Sequence, residues 1–478
     1  MKTKIKTRKN KISMLKLITS IALAMILCLG TAMPAIAAGN PIISTEPGSS
    51  VDAAITKKLV MPVGTTVPEA TFTFNFSKVS YDFSTDPGEL AKMPDLGDED
   101  ENDKSEPPAR TNTLSVTYSD TSKGDWITEN GTGFISVYLE TGHIFENIEW
   151  TFPGVYEYEV TEQPDTYTAT PDEEWMSYSG ASYRLVAYVE NDGNGGLYVK
   201  AISAIIKEKD ESNQNSNVGD KVDPTPGDPG DNSHNAYSRV IFTNKYLVQN
   251  GGTDVTPENT TLAVGKTVVG GLGSPLDYFK FDITVTTPVA EAIPENYGQT
   301  TFKAYVVNDT TNPTGFIKVT SDANVTGDRD DEKTPLGFIE FTSGEVETVY
   351  LKHGQKIVFL DLPVGSRFEA QESPPGLYLP SYVLTLNGSS GSGQIGELGE
   401  PFSTGIRYVN KGLDLAAFTN TFDISITPTG ISMNDLPYMI IIGLALAFFA
   451  AFVIIMYRKS AKRAAERENQ QLQIPAQF

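Results

Sequence analysis

Val240-Ile241-Phe242-Thr243-Asn244-Lys245-Tyr246 and Ala416-Ala417-Phe418-Thr419-Asn420-Thr421-Phe422 are two versions of one pattern, apolar residues alternating with others and an asparagine on the apolar side. In a β-strand residues two apart share a face. Asn244 therefore points with Val240, Phe242 and Tyr246, and Asn420 with Ala416, Phe418 and Phe422. A carboxamide facing a core needs a partner, because burying it unpaired costs free energy. Each stretch reads as a core strand whose partner lies on another strand of the same unit.

The same face test ranks the partners. Ile55, Lys57, Leu59 and Met61 share a face, as do Leu262, Val264, Lys266 and Val268, so Lys57 and Lys266 are the inward lysines. Tyr156, Tyr158, Val160 and Glu162 alternate together, as do Phe368, Ala370 and Glu372. Lysine to glutamate is 105 residues in the first set and 106 in the second, which points to a duplicated unit. Glutamate to asparagine is 82 against 48, and an insertion over residues 210–235 accounts for much of that difference.

Two chemistries fit an inward Lys, Glu and Asn. One is a buried ion pair with the amide hydrogen-bonded beside it. The other is a reaction: burial disfavours charge, lowering the lysine pKa and raising that of the glutamate. A neutral amine then attacks the carboxamide carbon while the acid polarises the carbonyl and carries protons to departing ammonia. Such a step happens once per unit, so the residues are self-processing groups and the protein is not expected to be an enzyme.

Elsewhere the pattern is β. Phe72, Phe74 and Phe76 alternate with polar residues, and residues 155–162 form a tyrosine-rich strand. Residues 183–190 and 197–201 flank Asn191-Asp192-Gly193-Asn194-Gly195-Gly196, a hairpin signal. In the second half 278–286, 301–307, 338–341, 346–351, 356–360 and 382–386 are short strand candidates. The fold class is all-β, tandem immunoglobulin-like sandwiches. Residues 95–110 and 210–235 are rich in acidic, Gly and Pro residues and read as mobile loops. Their carboxylates lack EF-hand spacing, so solvated loops are favoured over a calcium site, and no metal or cofactor is expected.

The ends set the location. Residues 1–16 hold seven bases and no acid, and the apolar run 17–29 leads to Ala35-Ile36-Ala37, a secretory signal over residues 1–37. The chain's one cysteine, Cys28, lies in that run, so no disulfide is available to the exported body. Residues 439–457 are uncharged and are followed by Arg458, Lys459, Lys462, Arg463 and Arg467. A single transmembrane helix over 436–457 with a cytoplasmic basic tail over 458–478 is expected, a buried core helix being the alternative. The chain carries 60 acidic against 37 basic residues, which excludes a nucleic-acid partner. With three histidines, none near a recognisable nucleophile or at metal-ligand spacing, an extracellular enzyme is disfavoured. The expected units are residues 38–247 and 260–425, joined by a linker over 248–259.

Ile55-Thr56-Lys57, the run from Gly154 to Glu162 and Phe242-Thr243-Asn244 resemble the isopeptide-linkage domain of Gram-positive pilins, streptococcal major pilins among them. Val264-Gly265-Lys266-Thr267-Val268, Leu362-Pro363-Val364-Gly365 before Glu372, and Phe418-Thr419-Asn420 resemble CnaB-type stalk domains. The resemblance implies Lys57 joined to Asn244 beside Glu162, and Lys266 joined to Asn420 beside Glu372. Ile426-Thr427-Pro428-Thr429-Gly430 is similar to a sortase sorting signal, with Thr427 where the commonest motif has proline. In that reading a sortase cuts after Thr429 and passes the chain to a wall precursor or another pilin subunit; a plain membrane anchor is the alternative. Lys221 and Lys245 are candidate acceptor lysines. The expected function is a cell-surface pilin or stalk subunit stiffened by isopeptide bonds, the alternative an adhesin on such a stalk.

Overall fold

The computed structural model describes residues 41–46, 48–99, 109–119, 127–128, 133–227, 237–250, 262–308, 317–318, 338–422 and 436–471. The signal segment 1–37 and the Ile-Thr-Pro-Thr-Gly stretch 426–430 lie outside the described residues.

The chain folds as two immunoglobulin-like β-sandwiches in series, because alternating strands present one apolar face that only a second sheet can cover. In the first, one sheet sets Ser182–Asn191, Gly154–Glu162, Ala70–Tyr81 and Thr113–Tyr118 side by side. The facing sheet sets Ile241–Asn250, Thr56–Pro62 and Phe134–Glu140 side by side, with Glu174–Ser177 on the outer edge of Ile241–Asn250. Phe72, Phe74, Tyr156, Tyr158, Tyr183 and Phe242 are fully buried between them.

The second sandwich repeats this plan. One sheet contains Gln355–Phe359, Leu262–Val269, Asp414–Thr421 and Leu379–Leu386 in that order, and the other Val346–Leu351, Phe279–Thr286 and Arg367–Glu372. Phe281, Phe302, Phe341 and Phe418 fill its core. In both sandwiches the first long strand lies parallel to the last, Lys57 opposite Phe242 and Lys266 opposite Phe418.

Several boundaries differ from the sequence expectation. The last strand of the first unit continues through Asn250, into the stretch expected to be linker, because Gln249 and Asn250 pair with Pro363 and Leu362 of the second unit. Residues 210–227 are not a bare loop: they hold a 3-10 turn, Glu211–Asn213, and a short strand, Lys221–Val222. Asp210 caps that turn, its carboxylate accepting from the Ser212 N–H while Asn213 accepts from the Asp210 N–H. Thr113–Tyr118 and Phe134–Glu140 are strands that were not among the expected ones. The C-terminal helix runs Leu436–Gln471, and its segment Ile440–Ala465 is exposed and long and apolar enough to cross a membrane.

Candidate functional site

Each inward lysine meets its glutamate and asparagine. Lys57 and Asn244 stand on neighbouring parallel strands of one sheet, while Glu162 reaches them from the end of a strand in the other. The register offsets the asparagine two residues past the one opposite the lysine, Phe242, so both side chains emerge on the inner face. Lys57 Nζ donates to Glu162 Oε1 at 2.7 Å and to Oε2 at 2.8 Å, and Asn244 Nδ2 donates to Glu162 Oε1 at 2.8 Å. Lys57 and Asn244 are both 0% exposed.

The second unit uses the same offset. Lys266 lies opposite Phe418, two residues before Asn420; Lys266 Nζ donates to Glu372 Oε1 at 2.6 Å and Asn420 Nδ2 donates to the same oxygen at 2.7 Å. Each lysine also lies over an aromatic ring: Lys57 Nζ is 4.7 Å from the Phe72 centroid, Lys266 Nζ 4.5 Å from that of Phe279. The rings are placed alike. Glu162 pairs across the sheet with Phe74 and Glu372 with Phe281, and the ring under the lysine is two residues earlier on that strand. A ring face attracts cationic lysine, and its bulk excludes water.

Burial is the first cause of the charge shifts. Desolvation pulls Lys57 down to about 8, partly opposed by the Glu162 charge, and pulls Lys266 down to about 8 against Glu372. Desolvation raises the Glu372 carboxyl, opposed by Lys266 and by the Asn420 hydrogen bond. A lysine near 8 exposes an amine lone pair within the physiological range, and in the second unit the same burial moves Glu372 toward the neutral acid that amide attack requires.

The two sites differ at the carbonyl. Asn244 Oδ1 accepts the Ser179 N–H at 2.8 Å, whereas Asn420 Oδ1 and Glu372 Oε2 are buried without a partner. Ser179 was not among the expected site residues; it lies in a loop with no motif around it. The Phe72/Phe279 rings were recoverable, since Phe72-Thr73-Phe74 and Phe279-Lys280-Phe281 repeat the same aromatic spacing. Of the two candidate acceptors, Lys221 is exposed, whereas Lys245 is buried and paired with Glu211 at 2.5 Å and Glu295 at 3.4 Å. Among the described residues no group of three or more His, Cys, Asp or Glu side chains could hold a metal.

Comparison with known proteins finds a family model for each unit. Residues 53–247 match the family model of the Spy0128-like isopeptide containing domain, and residues 260–402 match that of a domain of unknown function, DUF7601. Asn420 lies beyond the second match. The chain is similar to the crystal structure of the major pilin from Streptococcus pyogenes at 18% identity, covering 79% of this chain and all of that one, with a TM-score of 0.27. It is similar to the T-13 major pilin of the same organism at 16% identity, covering 81% of this chain and 100% of that one, with a TM-score of 0.27. A pilus-presented adhesin, Spy0125 (Cpa), is similar at 16% identity over 50% of this chain and 35% of its own, with a TM-score of 0.20. No curated protein matches the chain.

Proposed function

Starting from the membership of residues 53–247 in the Spy0128-like isopeptide family, we propose that this protein is a cell-surface pilus or stalk subunit. In this reading each sandwich closes an intramolecular amide bond, Lys57 to Asn244 and Lys266 to Asn420. The observation that carries it is the repeated geometry: lysine on the first strand, asparagine two residues past its register partner on the parallel last strand, glutamate from the opposite sheet. A pair of ion pairs has no need of a carboxamide on the same carboxylate oxygen in both units.

In each step the lysine amine attacks Cγ of the asparagine, the Cγ–Nδ2 bond breaks, and the glutamate moves a proton from Nζ to Nδ2, which leaves as ammonia. The residues are consumed, so the chemistry is self-processing and not turnover. Export by the N-terminal signal, retention by the C-terminal apolar helix, and transfer by a sortase at Thr429 complete the proposal. Lys221, exposed on a short edge strand, is a better acceptor for a neighbouring subunit than the ion-paired Lys245.

The test is the intact mass of the purified ectodomain. Two linked units make it two ammonia molecules lighter than the sequence. Asn244→Ala and Asn420→Ala each abolish one of the losses, and a mass equal to the unmodified sequence overturns the reading.

A further inference from the structure

We infer that Ser179 and Asp210 form a positioning device for bond formation in the first unit, one that the second unit lacks; the inference rests on the cross-linking reading above. Amide formation pushes negative charge onto the carboxamide oxygen while the carbon is tetrahedral. Donors already aimed at that oxygen lower the barrier because they need no reorganisation at that moment. In the first unit the Ser179 N–H points at Asn244 Oδ1 at 2.8 Å and lies 3.1 Å from Glu162 Oε2, so one donor touches both the reacting carboxamide and the acid that serves it. It holds the carboxamide in one orientation, oxygen toward Ser179 and nitrogen toward Glu162, where the leaving group receives its proton.

Asp210 fixes that donor. Its Oδ2 accepts the Ser179 hydroxyl at 2.5 Å and the N–H of Thr243, the residue before Asn244, at 2.9 Å. One carboxylate oxygen thus ties the Ser179 loop to the asparagine strand. Asp210 is itself held by its cap on Glu211–Asn213. That turn is pinned in turn, because Asn213 donates to the Tyr183 hydroxyl at 3.1 Å and Tyr183 donates to the Ile241 carbonyl at 2.8 Å. A cleft of about 370 Å³, lined in part by Ser179, Asp210 and Thr243, opens beside this pair. The second unit has the lysine, the acid and the ring, yet its Asn420 Oδ1 and Glu372 Oε2 have no partner.

The step balances without a co-reactant. The Nζ–Cγ bond forms, the Cγ–Nδ2 bond breaks, one Nζ proton passes through Glu162 to Nδ2, and the Oδ1 charge that rises and collapses is held by Ser179 N–H. Ser179 and Asp210 are positioning residues and donate nothing to the product.

The test follows both linkages in the full chain made by cell-free synthesis, sampled over time and digested, with the two branched peptides quantified separately. Only molecules whose first unit is already protected from hydrogen exchange are counted, which separates linkage from folding. Replacing Ser179 by its α-hydroxy-acid analogue exchanges the backbone N–H for an ester oxygen and leaves the side chain intact. The expected result is Lys57–Asn244 formation slowed about a hundredfold or more, the order seen when an oxyanion donor is lost, with Lys266–Asn420 unmoved. Asp210→Ala slows the first linkage likewise, and Asp210→Asn, which keeps an accepting oxygen, restores most of the rate. An unchanged first-unit rate with the ester in protected molecules overturns the inference while leaving the cross-link reading intact. A chain that never loses ammonia overturns both.

Discussion

At the scale of single residues, folding lowers the proton affinity of both site lysines. Lys266 drops from 10.5 to about 8 through burial, so between those values the unfolded chain holds a proton that the folded unit has released. The unfolded state then binds more protons, and stability rises with pH through that window. This is measurable where no bond masks it: Asn420→Ala retains the Lys266–Glu372 pair, and its second unit gains resistance to urea as pH is raised from 8 toward 10. Lys266→Met in that background abolishes the slope, and a slope that persists assigns the effect elsewhere. The six side chains of the two sites were legible because strand periodicity forces a face on every residue, and a polar residue on the wrong face stands out. Ser179 acts through its backbone N–H and Asp210 through a loop that looked merely acidic; neither leaves a periodic trace, and both depend on which strands the fold brings together.

At the scale of elements, alternation revealed the strands with one buried face, such as Ala70–Tyr81 and Phe279–Thr286, whose burial alternates along their length. It revealed less of Ile241–Asn250, where Ile241, Thr243 and Lys245 on the outer face are buried as well. The second unit and the Glu211–Asn213 turn cover that face, and a sequence pattern does not report which distant segment will do so. The segment Leu362-Pro363-Val364-Gly365 shows the same limit. In sequence it is a motif of one unit, whereas in the fold it joins the two: Leu362 packs in the second core and Val364 in the first, and Val364 N–H donates to the Val248 carbonyl at 2.9 Å. Gly365 follows with φ +82° and no room for a side chain, since an added Cβ would lie 2.2 Å from Pro62 Cβ. Gly365→Ala therefore forces the second unit away from Pro62. The expected outcome is a broader distribution of interdomain distances in small-angle scattering with both ammonia losses retained. An unchanged scattering profile removes this segment as the hinge lock.

At the scale of the whole molecule, the two sandwiches are joined by strand pairing, by Trp175 edge-on to Tyr297 at 4.8 Å, and by Lys245 between Glu211 and Glu295. Tension entering at the Lys57 strand leaves through the Asn244 strand, and because these are parallel neighbours a pull along the chain shears them directly. Hydrogen bonds between two short strands are a weak barrier to shear; a covalent bond between the same strands carries the load past the rest of the unit. Closing a loop of this length also removes unfolded-state entropy, about 5 kcal/mol by analogy with disulfides, which two units without cysteine cannot obtain from sulfur. Pulling the chain end to end separates the contributions. With both bonds closed, the segment between Lys57 and Asn244 releases no length. Asn244→Ala keeps the Lys57–Glu162 pair but not the bond, and adds an unfolding event of roughly 60 nm, the contour of the freed segment at the extended rise per residue. If wild type and variant extend alike, the first and last strands are not joined, and the unit resists extension by packing alone.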